Sequence, residues 1–154
     1  MISFSVAFDP NKGIGIKGSL PWHIKEELKL FKSNTIYKTI LMGQTTYEGL
    51  PRKLVDRTIM VVCNDPEYHP EGVEVIGDLI SFLKEHQDDE KEYIVCGGAS
   101  IYRQSYEYAS KAYVSFIRNE YETDTKFDNF DLNDWNIDKE VEYEEFVYRE
   151  LNRK

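Results

Sequence analysis

The chain is 154 residues long, 41% hydrophobic, 31% charged and 14% aromatic, with a net charge of −9. About one domain is expected at this length, and there is enough apolar surface to offset the entropy that keeps polar chains disordered. No run approaches the ~18 apolar residues of a membrane span, two cysteines make no disulfide framework, and an acidic total argues against nucleic acid, which requires a basic stripe.

The charge is unevenly spread. Residues 1–60 carry nine Lys/Arg against five Asp/Glu, whereas residues 120–150 carry three against twelve. The acidity reads as a solvated C-terminal face, and the cationic first half can receive a small anion. Met1-Ile2-Ser3-Phe4 has no basic n-region and no cleavage site, so no secretory signal is expected. Cys63 and Cys96 each sit in an apolar run, the pattern of buried free thiols in a reducing cytosol. Without repeats or linkers, residues 1–154 read as one domain. The acidic tail belongs to it, because Val114, Phe116, Phe127, Phe130, Trp135, Phe146 and Val147 keep supplying core positions.

Ile2 to Phe8 is a short apolar run and predicts a strand. Asp9 to Pro21 is a loop with glycines at 13, 15 and 18. Ile24 to Thr35 is helical, Thr39 to Met42 is a buried strand ending at Gly43, and a short helix runs to about Leu50. Thr58 to Cys63 is a strand that stops at the turn Asn64-Asp65-Pro66, and Val73 to Ile76 is another. Asp78 caps a helix whose inner face is Leu79, Phe82 and Leu83. Tyr93 to Cys96 is a strand ending in Gly97-Gly98. Ala99 to Ala109 is helical with Ile101, Tyr102, Ser105 and Tyr106 inward, Tyr113 to Ile117 is a strand, and the tail supplies two more. Apolar strands spaced by helices predict an α/β chain with a mostly parallel sheet covered on both faces. Ligands bind such sheets beyond the strands' carboxyl ends, here after Phe8, Met42, Cys63 and Cys96.

Four segments carry candidate chemistry. On the first helix, Ile24, Leu28, Phe31 and Thr35 form one stripe, with Lys25, Lys29 and Lys32 on another side. Glu27 borders the apolar stripe. It is either a snorkelling edge residue or a buried ligand for a molecule that presents N–H donors, and burial would raise its pKa. The glycine loop leads into Leu20-Pro21-Trp22, and Ile14, Ile16, Leu20 and Trp22 give it the apolar underside of a lid; an ordinary surface loop is the plainer reading. Met42-Gly43-Gln44-Thr45-Thr46 and Cys96-Gly97-Gly98-Ala99-Ser100 are two strand-to-helix turns with anion-attracting N–H groups, able together to hold two phosphates. Arg52 to Arg57 contains arginines that can clamp a carboxylate or stand as a solvated basic loop. His23, His69 and His86 lack metal spacing, and no G-x-G-x-x-G, Walker loop or G-x-S-x-G is present.

Taken together these residues resemble the dihydrofolate reductases over nearly the whole chain. The resemblance rests on Ile14-Gly15, Leu20-Pro21-Trp22, Glu27 ahead of Leu28, Phe31 and Thr35, and Met42-Gly43 with Thr46 and Glu48. Arg57 before a strand, Gly97-Gly98 before Ile101-Tyr102, and Thr123-Asp124-Thr125-Lys126-Phe127 complete it. It implies a three-layer fold: an eight-stranded, mostly parallel sheet with an antiparallel C-terminal strand and four helices on its faces. The implied reaction is hydride transfer from a reduced nicotinamide to 7,8-dihydrofolate, giving 5,6,7,8-tetrahydrofolate for one-carbon metabolism. The resemblance also implies a cytoplasmic antifolate target; with no long exposed apolar face in the sequence a monomer is the default, and no nucleic-acid or membrane partner and no metal are expected.

The resemblance implies catalytic roles for Glu27, Trp22, Leu20 and Tyr102. Glu27 would accept bonds from the pterin, with Trp22 and Ser115 holding it and a water in place. Val6, Ala7, Leu28, Phe31, Leu50, Leu54 and Cys96 would grip the rings, and Arg52 and Arg57 the glutamate end. Ala7, Ile14, Gly15, Leu20, Cys96, Ile101 and Tyr102 would line the nicotinamide slot, with Thr123 near it. Gly43, Thr46, Gly97, Gly98, Ala99 and Ser100 would hold the pyrophosphate, and Gln44, Thr45, Cys63 and Asn64 the adenosine side.

The chain departs from the family's pattern there. NADPH-using members usually carry arginine after Met-Gly and then lysine or histidine, where this chain has Gln44-Thr45; Asn64-Asp65 and Ser100 add no cation. A 2′-phosphate needs cationic donors, so NADPH is expected with NADH possible. Pro51 replaces a usual glycine and stiffens its turn. Two rivals are a same-fold pyrimidine reductase of riboflavin synthesis, which would lack Pro-Trp and the helix acid, and a non-catalytic acidic interaction domain.

Overall fold

A computed structural model describes all 154 residues. Its strands are β1 (Ile2–Phe8), β2 (Gly13–Gly15), β3 (Thr39–Gly43), β4 (Thr58–Val62), β5 (Glu74–Ile76), β6 (Tyr93–Val95), β7 (Ala109–Ile117), β8 (Thr125–Lys126), β9 (Trp135–Glu142) and β10 (Phe146–Arg153). Its helices are α1 (Lys25–Thr35), α2 (Gln44–Glu48), α3 (Leu79–His86) and α4 (Ala99–Ser105), with 3-10 turns at Tyr106–Tyr108 and Leu132–Asp134. Eight strands form one sheet in the order β5-β4-β3-β6-β1-β7-β10-β9. Every pair from β5 to β7 is parallel, while β10 runs antiparallel to both β7 and β9. The expected α/β architecture is therefore present, with β10 the one reversed strand.

Alternation along the strands divides the core. Ile2, Phe4, Val6 and Phe8 of β1 join Leu41, Val95 and Val114 under α3 and α4, in a cluster that includes Leu83, Tyr102 and Phe127. On the opposite face Ile40, Met42, Ile59, Val61 and Ile94 form one cluster, and Trp22, Ile24, Tyr113, Ile117, Phe146 and Tyr148 another. Each fully buried side chain of this size contributes ~1.5–3 kcal/mol. The acidic tail is anchored as expected. Tyr106 Oη accepts from Trp135 Nε1 at 3.1 Å and donates to Asp134 at 2.6 Å, and Arg153 lies over both the Tyr106 and Trp135 rings. Phe116 and Val147 are only half-buried.

Several boundaries differ from the sequence expectation. Ile24 is the extended N-cap of α1 and not its first turn. The helix expected to reach Ala109 stops at Ser105, because Tyr106–Tyr108 tightens into a 3-10 turn and Ala109 already pairs with Ile2. Gly13–Gly15 is not loop but a strand on β8. Cys63 and Cys96 are free thiols, both half-buried. No helix is long and apolar enough to cross a membrane.

Candidate active site

β1 presents Ser3, Ser5 and Ala7 to the face covered by α1, and Ala7 stands in register with Ser115 of β7. Ile24 and Thr35 anchor the ends of α1 in the core, at 3% and 0% exposure. Glu27 lies one turn inside that anchor and so turns toward the sheet on the side of Ser115. Burial pushes its carboxyl up from 4.5 to about 7, and the Ser115 side chain pulls it partly back. No cation pairs with it. A carboxyl pushed up toward neutrality can both take and give a proton.

Trp22 is 6% exposed, and its indole N–H is buried with no protein acceptor. Buried donors are almost always satisfied, so this N–H fits a site that takes an additional acceptor. The expected stripe on α1 is only partly inward. Ile24 and Thr35 are buried, but Leu28 is 41% exposed and Phe31 half-buried. Leu50 and Leu54 pack on the β3–β4 core. Arg57 sits against Phe31. Its guanidinium lies 5.8 Å from the Phe31 ring centre, with Nε donating to Thr35 Oγ1 at 2.9 Å and Nη1 to the Val55 carbonyl at 3.1 Å. Arg52 is exposed. Val6 points its side chain to the opposite face, away from α1.

The two glycine turns meet. Gly43 N–H donates to Gly97 O at 3.0 Å. A Cβ on Gly98 would stand 3.0 Å from Thr46 Oγ1, and one on Gly43 3.2 Å from Ile101. Gly97 has φ +128°, where L side chains are strained. Gly97→Ala is therefore expected to cost roughly 1–3 kcal/mol of stability and to weaken nicotinamide-nucleotide binding. A denaturant melt and a cofactor titration check both; unchanged values would contradict the role.

The remaining expected residues distribute around these turns. Cys96 is a neutral wall, its thiol pushed well up by burial. Tyr102, expected among the catalytic residues, donates its hydroxyl to Ser5 O at 2.7 Å, and burial holds the phenol protonated. That bond commits its hydroxyl to the β1 backbone. Gln44, Cys63 and Asn64 line an open cleft of about 450 Å³ with Asp78 and Gln104. Cys63 Sγ donates to Gln44 Oε1 at 3.2 Å. Thr45 and Ser100 are exposed, and Ala99 is half-buried. A larger cavity, about 670 Å³ between Gln87, Tyr108 and Arg153, lies at the strands' amino ends and holds none of the expected residues.

The expected lid is tethered more than it is apolar. Ile14 packs on the aromatic core and Trp22 is buried, but Leu20 is 50% exposed, so the underside is not continuous. Lys17 N–H donates to Asp124 Oδ2 and Asp124 N–H to Gly15 O, both at 2.9 Å. Thr123 packs against Gly13 so closely that a Cβ there would lie 2.4 Å from its hydroxyl. Sequence reasoning missed Asp124 and Asp9 as tethers. The signal for Asp9 was present in Asp9-Pro10-Asn11-Lys12-Gly13, whose composition invites an aspartate to cap its own turn.

A family model described as dihydrofolate reductase matches residues 1–151. The chain belongs to the dihydrofolate reductase family. The Mycoplasma genitalium dihydrofolate reductase is 38% identical over 146 residues, covering 92% of this chain and 91% of that protein. The Bacillus subtilis dihydrofolate reductase is 35% identical over 137 residues, 89% and 81% of the two chains. Among solved structures, an Enterococcus faecalis dihydrofolate reductase complexed with NADP(H) and RAB-propyl superposes with a TM-score of 0.88 at 30% identity, covering 100% of this chain and 96% of that one. The chain is thus an oxidoreductase that reduces dihydrofolate with a nicotinamide cofactor, and neither the pyrimidine reductase nor the non-catalytic reading is favoured.

Proposed function

We propose that 7,8-dihydrofolate is reduced to 5,6,7,8-tetrahydrofolate on the α1 face of the sheet, at the carboxyl ends of the strands. The feature that carries this is the Glu27 carboxyl, turned inward from α1 beside Ser115 with no cation paired to it and pushed up by burial to about 7. A pterin presents an amino group and a ring N–H side by side, and one carboxylate accepts both. The bound nicotinamide supplies the hydride. Glu27 orients the ring and governs proton uptake at the adjacent nitrogen, through a water that the Trp22 N–H also reaches.

Leu28, Phe31, Leu50 and Leu54 grip the rings, and Arg57 takes the glutamate carboxylate. Ala7, Ile14, Leu20, Cys96 and Tyr102 wall the nicotinamide. Gly43, Thr46 and the Gly97–Ser100 backbone hold the pyrophosphate. Residues 1–154 act as one domain, a cytoplasmic monomer. The test is loss of reduced-nicotinamide absorbance when protein and dihydrofolate are mixed; no turnover with either nucleotide contradicts the reading.

NADPH is the cofactor in this reading, with NADH also accepted. The cleft beside Gly43 contains Gln44, Asn64, Asp78 and Gln104 but no lysine or arginine, so a 2′-phosphate gains no charge-assisted bond. The ratio of kcat/KM for NADPH over NADH is expected below a few hundredfold. Gln44→Arg should raise it by about tenfold, the worth of one charged hydrogen bond. A larger wild-type ratio, or no response to arginine, contradicts the assignment.

A further inference from the structure

Asp9 stands just beyond the end of β1 and is 2% exposed. It has no cationic partner. Its carboxylate is satisfied by three backbone N–H groups: Oδ1 accepts from Asn11 at 2.9 Å and Gly13 at 2.8 Å, and Oδ2 accepts from Tyr121 at 3.0 Å. The first two bonds close a local turn, which asparagine could also do. The third spans 112 residues. It requires an acceptor at both oxygens, and only aspartate offers that.

Each end of this bridge touches the site. Gly13 opens β2, the base of the lid, and lies against Thr123. The Tyr121 ring meets the Trp22 indole edge-on, with centres 5.4 Å apart. Trp22 carries the buried N–H that no protein atom accepts. A desolvated carboxylate is a costly way to close a surface turn, so its use here has a reason beyond the turn.

We infer that Asp9 is a positioning residue for hydride transfer, fixing the Trp22 N–H and the lid base relative to Ala7 at the end of β1. It touches neither substrate nor cofactor and acts through Tyr121. The inference rests on dihydrofolate reduction at this end of the sheet.

Asp9→Asn tests it. The amide nitrogen would face the Tyr121 N–H, donor against donor, and Tyr121 would release its hold on Trp22. Single-turnover hydride transfer should slow about tenfold, in the range that small misplacements cost, while KM for dihydrofolate and nucleotide stays within about twofold. The two indole N–H resonances supply a readout that general loosening would not give. Trp22 should shift, whereas Trp135, held on Tyr106 at the far end of the core, should not.

Tyr121→Leu removes the ring and leaves Asp9 and the backbone bonds in place. It should reproduce the slowed step and the Trp22 shift, and it decides the matter if Asp9→Asn fails to fold. Wild-type turnover together with an unchanged hydride-transfer rate in either folded variant overturns the inference. So does a loss spread equally over kcat, both KM values and both indole signals. Absence of wild-type turnover would instead sink the reading of the reaction.

Discussion

Glu27→Gln is expected to fold normally and to lose roughly 10²–10³-fold in hydride-transfer rate at neutral pH, within the range a positioned acid–base group contributes. Glutamine keeps the shape and one acceptor oxygen. It cannot accept two parallel bonds from the pterin, and it cannot change protonation state. Because no second carboxyl reaches Ser115, acidification should restore little. Measured kcat across pH checks this; a variant within a few-fold of wild type would remove Glu27 from the mechanism.

The same substitution should stabilise the protein. The folded pKa of about 7 lies above the ordinary 4.5, so the folded chain holds a proton that the unfolded chain has released between those values. Stability contributed by that proton is present below about pH 4.5 and is lost as pH rises through 7. Glutamine has no charge to bury. The variant should therefore match wild type at acid pH and exceed it at pH 8, by up to about 3 kcal/mol. Melts at the two pH values read the difference directly, and equal gains at both would deny that a buried charge is the cause.

Arg57→Leu is the second large effect. The guanidinium is already fixed by Thr35, the Val55 carbonyl and the Phe31 ring. Its binding geometry is set before substrate arrives, so little ordering entropy is lost. Removing one partner of such a charged pair costs about 2–5 kcal/mol, which predicts a dihydrofolate KM raised by roughly 10²-fold. Binding at the glutamate end is the same in ground and transition states, so kcat should hold. A fall in kcat at unchanged KM would mean that Arg57 acts on the chemistry and not on the tail.

Much of this site was legible in the residues, for a physical reason. Strand runs, glycine turns and the acid beside an apolar stripe are local patterns, and the strand ends follow from a parallel sheet. The helix stripe grouped Leu28 with the buried Ile24 and Thr35, yet Leu28 is 41% exposed, because periodicity marks apolar positions and not what covers them. The Tyr102 hydroxyl bond could not be read ahead, because its partner, the Ser5 carbonyl, lies 97 positions away. The local turn that Asp9 closes with Asn11 and Gly13 was legible in composition, but its bond to Tyr121 and the bond of Asp124 to Lys17 were not, because those partners are backbone groups more than 100 positions away. The boundary of α4 was lost to register, since Ala109 is drawn into β7 by pairing with Ile2.

The central claim is that one enclosed, ionisable carboxyl on α1 governs proton delivery. Single-turnover hydride transfer followed from pH 5 to 9, in wild type and Glu27→Gln, tests it most directly. The wild-type rate should fall with a midpoint near pH 7, and the variant should be slow and flat. A glutamine variant with the wild-type profile would contradict the account.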